Sequence, residues 1–88
     1  MKRKQNFALQ NLGGEHILVP VGEEVLNLNG IQVLNRTALY LWECLAEETS
    51  EENLVENLSC EYSIGKEMAS RDVKVFLDEV RSKGMIEA

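Results

Sequence analysis

The chain has one proline, one histidine, two cysteines and no apolar run near the roughly 18 residues that a membrane-spanning helix requires. Each scarcity removes a class of function. His16 is the only imidazole and falls in an expected strand, so no nucleophile–base–partner set can be argued, and His16 reads as a half-exposed strand residue. Cys44 and Cys60 stand far apart and outside any Cys-x-x-Cys or Cys/His ligand spacing, which points to buried, reduced thiols. Gly13-Gly14 opens a strand and not a helix, so the phosphate cradles of Walker and Rossmann type fail. No pattern for a metal or a cofactor remains. The basic start, Lys2-Arg3-Lys4, runs into Gln5 and Asn6 instead of a signal-peptide core, and the chain reads as cytoplasmic, with no membrane contact.

Positive charge is also scarce. Nine Lys and Arg face fifteen Asp and Glu, a net charge of -6. Between Arg36 and Lys66 there is no basic residue, while Glu43, Glu47, Glu48, Glu51, Glu52, Glu56 and Glu61 fall inside that window. Such a surface repels phosphate, because nucleic-acid affinity rests on cations that displace condensed counterions. The carboxylates follow helix exteriors and read as a solvated face. Residues 1–6 read as a flexible, solvated N-terminal tail and 7–88 as one domain, since 88 residues with 44% apolar content support a single thin core. A deep catalytic cavity would consume that core. Binding on the surface is the reading that remains, and the protein is expected not to be an enzyme.

Phe7 to Leu12, Gly13-Gly14 and Glu15 to Val21 predict a hairpin, with Pro20 marking an edge or a strand end because it has no N–H for a ladder. Val25 to Leu28 and Ile31 to Leu34 flank Asn29-Gly30, a second hairpin dipeptide. At Asn35, a suitable N-cap, the period changes: Leu34, Ala38, Leu41 and Leu45 recur at helical spacing, with Trp42 beside them, and predict a helix to about Ala46. Thr49-Ser50-Glu51-Glu52 matches a capping box with Thr49 as the cap, opening a helix with Leu54, Leu58 and Tyr62 inward that ends before Gly65. A third helix carries Val73, Phe76, Leu77 and Val80 on one face and stops at Gly84, after which Met85 and Ile86 fold back. The sum is an α+β, small winged-helix-like domain: N-terminal antiparallel β-strands followed by three α-helices.

Such a fold invites a DNA-binding reading, that of a transcriptional regulator. The third helix opposes Arg71, Lys74, Arg81 and Lys83 with Asp72, Asp78 and Glu79, and the helix before it is acidic, so the electrostatics argue against it. The strands give another lead. A sheet this small leaves the stretch around Ile31, Val33 and Leu34 partly unpaired at one edge, and an open edge beside a helix accepts an added peptide strand. Leu34, Val73 and Leu77 read as core, whereas Val75, off the core stripe of its helix, has no internal role. The same edge also admits a second copy of the chain, a weak homodimer, and a purely structural or dimerisation module is a further alternative.

Ile17-Leu18-Val19-Pro20, Leu34-Asn35, Ala38, Leu41-Trp42, Leu45, Thr49-Ser50-Glu51-Glu52-Asn53-Leu54, Leu58, Tyr62, Asp72-Val73, Phe76-Leu77, Val80 and Gly84-Met85-Ile86 occur in the order and spacing of a known family. From about Phe7 to Glu87 the pattern resembles the PqqD-like peptide-recognition domains. The resemblance implies a non-catalytic adaptor that binds the leader region of a ribosomally made precursor peptide as an added strand. It also implies a partner that modifies the peptide, a radical S-adenosylmethionine protein or another enzyme, in a system like the one that makes pyrroloquinoline quinone. Carried to this chain, the receptor strand is Ile31, Gln32, Val33 and Leu34, and the helix side of the groove is drawn from Asp72, Val75, Phe76 and Glu79. The segment Glu23 to Asn29 departs from the family pattern and could itself pair with that edge.

Overall fold

The computed structural model describes residues 1–4, 7–21 and 32–87. In chain order these form β1 (Lys2–Arg3), β2 (Phe7–Leu12), β3 (Glu15–Pro20), β4 (Gln32–Leu34), α1 (Arg36–Cys44), α2 (Glu51–Tyr62), α3 (Lys66–Ser82) and β5 (Ile86–Glu87). The expected strand Val25 to Leu28, the Asn29-Gly30 turn, the Glu23 to Asn29 segment and Ile31 lie outside the described residues.

Gly13 and Gly14 take φ of 60° and 85°, the left-handed pair that a two-residue turn needs, and they join β2 and β3 from Phe7↔Pro20 to Leu12↔Glu15. β4 pairs antiparallel with β3 through His16↔Leu34, Ile17↔Val33 and Leu18↔Gln32, giving a three-stranded sheet in the order β2-β3-β4. Pro20 ends its strand, as expected from its missing N–H. Leu18 and Leu34 lie on the inner face and are buried, while Val33 on the other face is exposed.

α1 and α2 start where a side chain satisfies an orphan amide, whereas α3 starts at Gly65 with no side-chain cap. Asn35 Oδ1 accepts from the Ala38 amide at 2.8 Å and opens α1, which ends at Cys44, slightly before the expected Ala46. α2 is capped by Ser50, whose Oγ accepts from the Asn53 amide at 3.2 Å, and not by Thr49. The cap shifts by one residue because the Thr49 amide is already committed, donating to the Met1 carbonyl at 2.9 Å. α3 buries Ala69, Val73, Phe76, Leu77 and Val80, and the chain turns at Gly84 with φ 66°, returning Met85 and Ile86 to the core. Among the described residues no helix is long and apolar enough to cross a membrane. The outcome is the expected small α+β domain, strands first and three helices after.

The start of the chain departs from the expectation of a solvated tail. Lys2 pairs with Glu87 and Arg3 with Ile86, so β1 and β5 form a second, two-stranded sheet. The Arg3 amide donates to the Leu45 carbonyl at 2.9 Å and the Lys4 amide to that of Met85 at 3.0 Å. The Arg3 guanidinium lies 5.4 Å from the centroid of the Trp42 ring and donates to the Trp42 carbonyl at 3.1 Å. This anchoring satisfies backbone groups and stacks a weakly hydrated cation on an aromatic face, which outweighs the entropy of a free end.

Along the α1–α2 seam, the Tyr40 and Tyr62 rings meet edge to face with centroids 5.9 Å apart. Cys44 is half-buried here and Cys60 is exposed, so the expectation of two buried thiols is corrected, although both are free. Cys60 falls on the outer side of α2, whose inner side is filled by Leu54 and Leu58. Burial, reinforced by the neighbouring Cys44 thiol, pushes the Tyr40 hydroxyl from 10.0 up to about 12.

Two predictions follow from these contacts. Arg3→Ala removes the stacking and a hydrogen bond, and is expected to cost about 1–2 kcal/mol. At about 4–8 °C per kcal/mol for a domain of this size, thermal unfolding resolves that loss, and an unchanged midpoint would mean that the first strand is undocked. For Tyr40 the folded-state pKa is raised, so its contribution to stability is full below about pH 10 and is lost as pH climbs toward 12. Urea unfolding between those limits should show Tyr40→Phe losing less stability with pH than the parent, and parallel slopes would refute the assignment.

Candidate functional site

On one side β4 is hydrogen-bonded to β3; on the other, no strand pairs with it among the described residues. α3 runs alongside that open edge. Between them lies a groove of about 300 Å³. From β4 and α1 it is lined by Gln32, Val33, Asn35, Thr37, Ala38 and Leu41, and from α3 by Arg71, Asp72, Val75, Phe76 and Glu79. A second concavity shares Gln32, Val33, Val75 and Glu79 and continues past Leu34 to Gly14, Glu15 and His16 on the hairpin.

The lining follows from local structure. α1 begins directly after β4, with Asn35 alone between them, so its first turns are forced beside the strand and bring Ala38 and Leu41 to the groove floor. On α3, Asp72, Val75, Phe76 and Glu79 recur at three- and four-residue spacing and form one stripe. Phe76 is 6% exposed and lies at the boundary between groove and core, whereas Val75 is 60% exposed. The floor is therefore apolar and the ends are polar. At one end, Gln32 Nε2 donates to Glu79 Oε2 at 3.0 Å, and the Lys83 ammonium donates to Gln32 Oε1.

Of the residues singled out from the sequence, Gln32, Val33, Asp72, Val75, Phe76 and Glu79 share this groove. Leu34, 3% exposed, is core, and touches only the second concavity. Ile31 lies outside the described residues. Asn35, Thr37, Ala38, Leu41 and Arg71 were not singled out, although the Leu34-Asn35 junction carries the signal: a helix that starts without a loop must flank the strand it leaves. Chemically, an open strand edge offers N–H and C=O groups to an extended chain, and the apolar floor accepts alternate side chains from it. His16 is half-buried in β3.

Residues 15–86 match the family described as coenzyme PQQ synthesis protein D (PqqD). A comparison with curated proteins finds no match. Among solved structures, the chain is similar to TbiB1 in complex with the TbiA(beta) leader peptide. That similarity has a TM-score of 0.76 and 22% identity, and covers 100% of this chain and 96% of that one. At this identity the likeness speaks to the fold.

The groove separates stability from exposure. Phe76→Ala is expected to cost about 3–5 kcal/mol of fold stability, as for a buried aromatic. Val75→Ala should stay within about 0.5 kcal/mol, as a surface change does. Chemical denaturation of the two variants tests this, and equal losses would place Val75 in the core.

Proposed function

The chain belongs to the PqqD family, and on that premise we propose that it is a non-catalytic adaptor holding the leader segment of a ribosomally made precursor peptide along the open edge of β4. The observation that carries the reading is the groove itself, a free strand edge facing the exposed stripe of α3 over an apolar floor. Strand addition would satisfy the outward-facing N–H and C=O groups along Gln32–Leu34, which alternate with those bonded to β3, while alternate side chains entered the groove beside Asp72, Val75, Phe76 and Glu79. The similar solved structure is a complex with a leader peptide, which supports a leader peptide as the partner here.

In this reading the bound leader is presented in the cytoplasm to a peptide-modifying enzyme, a radical S-adenosylmethionine protein being the expected class. Without a client the same edge allows weak self-pairing. A DNA-binding role finds no comparable support, since Glu51 and Glu52 open an acidic α2 and the cations of α3 are matched by its carboxylates.

Calorimetric titration with leader peptides encoded beside this protein's gene, with duplex DNA at low salt as the control, is expected to give heat with a peptide alone. Val75→Asp should leave the melting temperature nearly unchanged and weaken that binding by about 1 kcal/mol or more. Sedimentation of the same samples reports whether peptide dissolves any dimer. Heat with DNA alone would overturn the adaptor reading, and wild-type affinity in Val75→Asp would move the peptide to another surface.

A further inference from the structure

If a peptide strand adds to β4, as that reading holds, the register of the sheet dictates what two of its side chains meet. The rows Leu18–Gln32 and His16–Leu34 cross β3 and β4. Leu18 and Leu34 face the core, so Gln32 and Leu34 share the inner face, while Val33, 53% exposed, takes the outer one. A strand on the open edge continues both rows. Two of its side chains, two residues apart, then point into the groove, one level with Leu34 and one level with Gln32.

The two positions have unlike surroundings. Leu34 packs in one core cluster with Leu41, Phe76 and Ala38, and those three form the apolar floor of the groove, which suits an apolar side chain. Next to Gln32 the lining is a polar network: Gln32 Nε2 donates to Glu79 Oε2 at 3.0 Å and to the Val33 carbonyl at 3.3 Å, and Lys83 donates to Gln32 Oε1. By holding the oxygen end of the amide, Lys83 determines that the nitrogen end faces Glu79. Both amide hydrogens are then used. Among the described residues, no donor reaches the second carboxylate oxygen of Glu79, which leaves an acceptor at the rim of the groove.

We propose that this network makes the groove selective for peptides in which an apolar residue and a neutral hydrogen-bond donor, Asn, Gln, Ser or Thr, stand two residues apart. A docked strand removes water from Glu79 and Lys83, and an apolar side chain at that level leaves the carboxylate oxygen without a partner, a cost no apolar contact offsets. Charged side chains fare no better. Glu79 and Lys83 already balance one another through one amide, so an acidic or a basic side chain at that level adds a desolvated charge that nothing in the groove compensates. A neutral donor completes the network without adding charge. Sites built to hydrogen-bond reject analogues that lack the group far more strongly than apolar pockets reject a change in size.

Selection from a display library of randomised decapeptides, run on the wild-type protein and on E79A/K83A, tests the proposal. Wild-type protein should enrich an apolar residue paired at i+2 with a neutral donor, in one fixed order. E79A/K83A should keep the apolar preference and lose the donor preference. Replacing the donor by Leu or Lys in the best peptide should weaken binding to the wild type by about tenfold or more, and much less to the variant. Gln32→Leu, which removes the amide and keeps its bulk, gives an independent break should the double variant not fold. Enrichment of peptides with no donor preference, or the same preference in every variant, would overturn the selectivity while leaving peptide docking intact. No enrichment on any of the proteins would overturn docking and selectivity together.

Discussion

Leu34 is both the last residue of β4 and the residue before the cap of α1, so sheet and helix meet with no loop between them. Its side chain is buried, and the next residue, Asn35, accepts from the Ala38 amide at 2.8 Å. With both neighbours held, the direction in which α1 leaves the strand has little freedom. α3 packs onto the result through Val73, Leu77 and Val80. The distance between the open edge of β4 and α3 is thus set by core packing, and the groove is a consequence of how the fold closes. A chain of 88 residues has few other ways to hold a site rigidly.

α3 serves the two needs with two faces. Ala69, Val73, Leu77 and Val80 close the core, while Asp72, Val75 and Glu79 line the groove, and Phe76 sits at the border. Leaving Val75 exposed forgoes roughly 1–2 kcal/mol that its burial would supply, a noticeable fraction of the stability of so small a domain. Val33 on the strand side shows the same exposure of a β-branched residue beside the same groove.

Most of the fold could be read from the sequence because its signals are local. Gly13-Gly14, Asn35 and Gly84 each determine a turn or a terminus through their own backbone or side-chain chemistry, and each acts as its residue type suggests. The failures are non-local. β1 is two residues long and finds its partner, β5, at the other end of the chain, so no pattern within either segment announces the pairing. The misplaced cap of α2 also involves a distant partner, since the Thr49 amide donates to the Met1 carbonyl. For the groove, the family resemblance brought Asp72, Val75, Phe76 and Glu79 together, but nothing in the sequence pattern could reveal that Lys83 and Glu79 both reach Gln32. Side-chain bonds between a strand and a helix depend on how the two are docked, and docking is what a linear pattern omits.

In the proposed docking, a receptor strand of three residues also limits how a bound peptide is held. Main-chain pairing along Gln32–Leu34 offers only a few hydrogen bonds, each of net value about 0.5–1.5 kcal/mol, short of the roughly 8 kcal/mol of micromolar affinity. Side chains in the groove must supply the difference. They must also fix the register, because backbone bonds alone are satisfied equally well after a slip of two residues, which moves the peptide about 7 Å. For an adaptor that presents its peptide to a modifying enzyme, as proposed, a slip of that size changes which downstream residue is presented. In the proposed docking, two chemically unlike positions in one short groove, an apolar floor and a polar network beside Gln32, remove the ambiguity, since a peptide shifted by two residues sets its apolar side chain against Glu79.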